Sequence, residues 1–291
     1  MKRSFPLRRS ALYLLLLCAL ALAACRKPPP QPAQSAPRIV SLAPAITETL
    51  FRIGASKQVI AVSDYCDSPP EVTKLPKAGT SITPNYEAIA RLQPNLILGE
   101  DTGGARRREL EAVGKTRLLM WLSLGDVTRS VNELGAITGQ TAQAKELAYS
   151  LEQRLGVQPD PNAPRVLLIL GGDGSGANEE LWFVRRNSLH GAALHGAGAR
   201  NAIDEDIQGP PQLSQERLLA LDPPFVVVLT QVKAGRTPPQ GHGLERYSTL
   251  SAVQRGKVAR LPSANAFSDG PSILKLVDEL HSKLVQMGAL P

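Results

Sequence analysis

Apolar and polar positions repeat along this chain in a fixed order. Glu87-Ala-Ile-Ala-Arg-Leu-Gln-Pro-Asn-Leu-Ile-Leu98 and Glu216-Arg-Leu-Leu-Ala-Leu-Asp-Pro-Pro-Phe-Val-Val227 share the pattern Glu-x-[Ile/Leu]-x-x-Leu-x-Pro-x-x-[Ile/Val]-[Leu/Val] without a gap. Apolar residues at helical spacing after each Glu predict a short helix. The proline stops it, and the apolar run that follows has the length of a buried strand. Apolar strands also open the two halves, Arg38-Ile-Val-Ser-Leu and Arg165-Val-Leu-Leu-Ile. A repeat of 127 to 129 residues is too long for a solenoid. It predicts two similar, doubly wound α/β lobes made by duplication.

The remaining elements follow from the same periodicities. In the first lobe, residues 38–126, a strand over Arg38–Leu42 leads to a helix carrying Ile46, Leu50 and Ile53, ended by Gly54. A strand over Val59–Val62 runs into a polar loop, Ser63–Pro70, that contains Tyr65. The first Glu unit ends at Gly99-Glu100-Asp101, and a strand over Arg117–Leu122 carries Trp121. Residues 127–164 connect the lobes. Val127, Val131, Leu134 and Ile137 form one helical stripe ended by Gly139; Thr141 can cap a helix with Ala144, Leu147, Leu151 and Leu155, closed by Gly156. A single helix of about 15 residues, roughly 22 Å long, would make a rigid strut. The second lobe, residues 165–291, has strands at Arg165–Leu170, Leu181–Val184 and Val258–Leu261, helices at Ser188–Ala197 and from Ile273, and a loop at Asn265–Pro271. Its glycine-rich turn, Gly171–Gly176, lacks the phosphate-cradling patterns and reads as a flexible loop.

The N-terminus changes the picture. A basic segment, an apolar run from Ala11 to Ala24 and Leu22-Ala-Ala-Cys25 read as a secretory signal, residues 1–24, followed by a lipidated Cys25. Two or three acyl chains on Cys25 would hold the protein on a membrane, and no permanent span is expected. The proline-rich residues 25–37 read as a disordered tether. The net charge of +7 shrinks accordingly: without the four bases of the signal, 29 basic residues face 26 acidic ones. That mixed surface argues against nucleic-acid binding. Arg106–Arg108 belongs on a solvated helix. Of three cysteines, Cys18 leaves with the signal and Cys25 is lipidated, so Cys66 stands alone as a small buried residue.

No catalytic constellation emerges. The four histidines include no His-x-x-x-His pair, and neither Cys-x-x-Cys nor Gly-x-Ser-x-Gly occurs. The chain is therefore expected to be no enzyme, with no resident metal or cofactor. Glu87 and Glu216 are more informative. Either alone is an ordinary helix-start carboxylate, but matched positions in two lobes suit docking onto two positive sites of a larger partner.

Taken together the motifs resemble the periplasmic substrate-binding proteins of ABC importers for cobalamin, ferric siderophores and haem. The resemblance spans residues 38 to 290 and rests on Arg38-Ile-Val-Ser-Leu-x-Pro-x-x-Thr-Glu48, Ser63-Asp-Tyr-Cys-Asp-x-Pro-Pro-Glu71, Leu75-Pro-Lys-x-Gly79, Pro84-Asn-Tyr-Glu-x-Ile89 and Leu213-Ser-x-Glu216. It implies an exported, monomeric protein whose lobes hold the ligand and whose Glu87 and Glu216 dock onto arginines of a permease dimer. Among family members the Asp-Tyr-x-Asp-x-Pro-Pro loop is most similar to that of cobalamin binders, implying that Tyr65 contacts the corrin. By loop position Ser81 and Glu100 replace expected aromatics, Phe183 matches an aromatic contact, and Asp269 lies in the loop that gives a late polar one. Trp121 and Trp182 are candidates both for the missing rings and for the core. A corrinoid is the expected ligand, with Tyr65, Ser81, Glu100, Trp182, Phe183 and Asp269 as its contacts. An iron siderophore or haem is the alternative, and an enzyme or assembly factor on the same fold is the rival from another class.

Overall fold

Strand β1 (Ile39–Ser41) pairs on one side with β2 (Val59–Val62) and on the other with β3 (Leu96–Glu100), which pairs with β4 (Thr116–Leu119); all are parallel. Helices α1 (Pro44–Arg52), α2 (Tyr86–Leu92) and α3 (Arg107–Glu111) link them. In this computed structural model residues 36–101, 103, 106–171, 181–205, 210–232, 241 and 243–291 are described. Cys25, its signal, the tether up to residue 35 and most of the glycine-rich turn lie outside them. The second sheet runs β10-β9-β5-β6-β8. Its strands are β5 (Arg165–Leu170), β6 (Leu181–Phe183), β8 (Gln212–Leu213), β9 (Phe225–Gln231) and β10 (Val258–Ser263), with β7 (Arg200–Asn201) paired to the start of β5. Strands β5, β9 and β10 are parallel, whereas β6 is antiparallel to both of its neighbours.

The apolar strands are continuous because both faces of each sheet are covered. Along β5, Val166 and Leu168 enter one core cluster while Leu167 and Ile169 enter another. In β9, Val227 and Leu229 alternate in the same way with Val226 and Val228. Val40 and Ile97 face a third cluster with Ile89 of α2 and Leu110 of α3. This is the doubly wound α/β arrangement.

The internal repeat extends to backbone detail. Asn85 Oδ1 accepts from the Ala88 N–H at 3.0 Å to start α2. Ser214 Oγ accepts from the Arg217 N–H at 3.2 Å to start α7 (Gln215–Leu221). Both helices end on a left-handed residue before the proline, Gln93 at φ 47° and Asp222 at φ 32°. These are the two non-glycine residues with positive φ among those described. Each helix therefore stops one residue before the proline that cannot continue it. The paired strands share a register too: Ile39 faces Leu96 as Val166 faces Phe225.

Two 15-residue helices, α4 (Leu124–Thr138) and α5 (Thr141–Leu155), join the sheets and pack along each other. Ser123 and Asp126 form a capping box at the start of α4, and Gly139, at φ 75°, closes it. Thr141 is the first residue of α5, not its cap; Gln140 holds that position and makes no side-chain capping bond. A Cβ on Gly135 would stand 2.3 Å from Ala144 Cβ, so glycine is what allows the close crossing. One hydrophobic cluster runs from Ile46 and Leu98 through Leu134 and Leu151 to Leu168 and Leu280, which makes the joint stiff. Cys66 is buried and donates to Thr47 Oγ1 at 3.2 Å. Arg106 and Arg107 pair with Glu109 and Asp101 at 3.8 and 3.3 Å.

Candidate functional site

In open α/β sheets ligands sit beyond the carboxyl ends of the strands. A cavity of about 220 Å³ lies there, lined by Glu100 at the end of β3 and Asp101 after it, Trp121 and Leu122 after β4, Ser188, Leu189 and His190 at the start of α6 (Leu189–Gly196), and Asp269 after β10. A larger hollow of about 600 Å³ between α1, the loop through Pro69 and the residues around Ser272 contains none of the predicted ligand contacts. Position at the strand ends, rather than size, marks the smaller cavity as the candidate site.

Its lining is acidic. Burial raises the Glu100 carboxyl above the ordinary range, and the charge of Asp269 raises it further. Asp269 is itself raised by burial, with His190 pulling the other way. Its side chain is still 62 % accessible through the cavity mouth, so solvent moderates the effect. Burial holds His190 below its usual pKa, against the attraction of Asp269. The Ala266 carbonyl, 3.0 Å from His190 Nε2, can only accept, so Nε2 carries the hydrogen. Nδ1 then faces Asp269 Oδ1 at 3.9 Å.

Of the predicted contacts, Glu100 and Asp269 come together in this cavity, and Trp121 joins them. Strand β4 stops at Leu119, short of the predicted Leu122, which leaves Trp121 on the loop. Tyr65 projects into solvent at 75 % exposure from a braced loop at the end of β2. Lys77 Nζ donates to the carbonyls of Ser63 and Cys66 at 3.1 and 2.7 Å, and the Gly79 N–H donates to Asp64 Oδ1 at 3.2 Å. Trp182, paired with Leu170 at the carboxyl end of β5, is 37 % exposed.

Two predicted contacts lie in the interior. Phe183 is 2 % exposed and packs in the core with Leu181, Leu213 and Leu218, because neighbours on a strand point to opposite faces. Ser81 is 5 % exposed, and its hydroxyl is used internally, donating to Leu42 O at 3.3 Å and accepting from the Glu100 N–H at 3.2 Å. It fixes the strand end that carries Glu100.

Glu87 and Glu216 occupy the second residue of α2 and of α7. Each helix leads into a parallel strand, so its N-terminus lies toward the carboxyl edge of its sheet. Glu87 is 76 % accessible and ion-paired with Arg91 one turn on. Glu216 is fully exposed, its carboxylate favoured by bonds from its own N–H and from Ser214.

The sequence profile of the periplasmic binding protein family matches residues 39–264. The chain belongs to that family. The vitamin B12-binding protein of Pectobacterium atrosepticum is 28% identical over 226 residues, 74% of this chain and 75% of that one. Among solved structures, the periplasmic vitamin B12 binding protein of Vibrio cholerae superposes with a TM-score of 0.66 at 24% identity, over 87% of this chain and 98% of that one. The periplasmic heme binding protein of the same organism gives 0.70 at 18% identity, over 86% and 99%. These two superpositions establish the two-lobed fold.

For this periplasmic binding protein, the sequence nominated two of the residues that line the cavity and offered Trp121 as one of two uses. His190 was missed, because it meets the β10 loop across 76 residues and a lone histidine on a helix carries no pattern. The buried carboxyl of Glu100 gives a direct prediction. Above its raised folded pKa the native state holds a disfavoured charge, so Glu100→Gln should raise the melting temperature at neutral pH by roughly 2–4 °C, the effect of about 1 kcal/mol. The gain should fade as pH falls through that pKa toward 4.5, where wild-type Glu100 becomes neutral too. Melting curves from neutral pH down to 4.5 would contradict this if the difference were constant.

Proposed function

We propose that this periplasmic binding protein captures a corrinoid between its lobes and delivers it to the permease of an ABC importer. The observation that carries this reading is the charge of the cavity. Glu100, Asp101 and Asp269 line it, and among the described residues none of its lining is Lys or Arg. Asp101 is matched by Arg107 outside, which leaves Glu100 and Asp269 facing the ligand. The periphery of a corrinoid is rich in amide N–H donors, which carboxylate and carboxyl oxygens accept. Haem presents two propionates, and many ferric siderophore complexes are anionic, so both meet like charge here. The 28% identity to a vitamin B12-binding protein supports the same choice. Tyr65 and Trp182 supply exposed rings for the macrocycle face.

In this reading Glu87 and Glu216 register the two lobes on two permease subunits, the protein acts as a monomer without catalysis, and an acylated Cys25 keeps it at a membrane outside the cytoplasm. Haem is the second reading, favoured by the exposed phenol of Tyr65, a residue type that ligates haem iron. A competition experiment separates the two. When equimolar cyanocobalamin, haemin and a ferric hydroxamate are offered together, native mass spectrometry should find the corrinoid complex. Predominance of haem would reverse the order.

A further inference from the structure

The turn from β10 into α9 (Ile273–Gln286) belongs to the second lobe by sequence, yet the first lobe holds it from two directions. Trp121, after β4, donates its indole N–H to the backbone carbonyl of Asp269 at 2.7 Å. From the middle of α1, Glu48 Oε2 accepts from Ser272 Oγ at 3.0 Å, and its carboxylate also takes a bond from the Ser272 backbone. Ser268 and Ser272 share a 2.5 Å hydroxyl bond, and the Gly270 N–H donates to Ser268 Oγ at 3.3 Å, so the turn is internally tied between its two anchors.

Helix α9 has no side-chain cap of its own at Ser272 and no acid in its first turn. Glu48 supplies the missing negative charge from the other lobe. The approach is close, and a side chain at Gly270 would displace the Glu48 carboxylate: a Cβ there would stand 2.3 Å from Glu48 Oε2 and 3.3 Å from Ala45 Cα. Burial works against the Glu48 charge, while the Ser272 bonds, Arg52 and Lys275 favour it.

We infer that Glu48 and Trp121 are positioning residues that clasp Ser268–Ser272 to the first lobe and thereby fix both the presentation of Asp269 and the width of the cleft. The carbonyl that Trp121 holds is that of Asp269 itself, and Trp121 also lines the cavity. A shift of the turn therefore moves the ligand-facing carboxyl directly. Closure on binding is then limited at two places, by the packed α4 and α5 and by this clasp. The role of Asp269 toward ligand rests on the proposed function; the clasp itself does not.

Hydrogen exchange followed by mass spectrometry on the full chain, without ligand, tests the clasp. Glu48→Ala should speed exchange of amides in 270–276 by about tenfold, the weight of one lost hydrogen bond. Glu48→Gln, which keeps a carbonyl acceptor but not the charge, should recover most of the lost protection. Trp121→Phe, which keeps the ring and removes the N–H, should speed exchange in 265–270, with both sheets unchanged in every variant. Cyanocobalamin affinity should fall about tenfold in Glu48→Ala, and not further when Asp269→Ala is already present. Wild-type exchange at the turn in both Glu48→Ala and Trp121→Phe would overturn the inference, as would an equal affinity loss in the Asp269→Ala background. Should wild type fail to bind cyanocobalamin, the corrinoid reading falls alone, and the exchange pattern still decides the clasp.

Discussion

Phe183→Ala is expected to destabilise the protein by about 3–5 kcal/mol, the range for removing a buried aromatic ring and leaving its cavity. In a protein of this size that corresponds to a fall of roughly 10 °C in melting temperature. Phe183 is 2 % exposed and sits among Ile169, Leu181, Leu213 and Leu218, on the sheet face covered by α7. The adjacent Trp182 points the other way at 37 % exposure, so Trp182→Ala should change stability by less than about 1 kcal/mol. Ligand affinity should show the opposite order. Trp182→Ala removes an exposed ring from the candidate ligand face, whereas Phe183→Leu, which preserves most of the volume, should leave affinity intact. Denaturant unfolding and ligand titration of the same variants check both halves. A near-neutral Phe183→Ala combined with lost binding would return Phe183 to the ligand site.

Charge reversal at both repeat glutamates, Glu87→Arg with Glu216→Arg, should reduce ligand uptake at least tenfold while leaving ligand affinity unchanged. Both side chains are exposed at the second position of matched helices, and neither lines the cavity. The Glu87–Arg91 pair does not lock its carboxylate away, because both partners are largely exposed and such pairs are weak. In the proposed complex these charges would act on registration with the permease, and reversing them would place like charge against a positive site. Each single reversal should cost less than the double. Uptake into vesicles containing the permease, measured beside ligand affinity in solution, checks the expectation. Unchanged uptake in the double variant would favour a surface sensor without a transporter.

Much of the fold was legible because the strands are short, apolar and bounded by Gly and Pro. β2 and β5 fall within the predicted limits of Val59–Val62 and Arg165–Leu170. The Glu units were readable as a repeat, down to a proline that follows a left-handed residue in both copies. The two-residue strands β7 and β8 were not, since they are set by pairing with β5 and β6 and have no periodicity of their own. The site was less legible, for two physical reasons. Alternation along β6 could have shown that Trp182 and Phe183 cannot share a face, but a loop-position match to a family contact pointed to Phe183. Ser81 and His190 depend on partners far along the chain, the end of β3 and the loop after β10. Tertiary contacts of that kind leave no mark in local spacing. The Glu48–Ser272 bond is the extreme case, spanning 224 residues between two positions that show no sequence relation.

Calorimetric titration of the purified protein with cyanocobalamin tests the central claim most directly. The account predicts one-to-one binding in the nanomolar range, about −12 kcal/mol, weakened by Tyr65→Ala and by Asp269→Ala. An absence of heat and of any shift in melting temperature would contradict capture of a corrinoid, and the same titration with haemin would then decide the second reading.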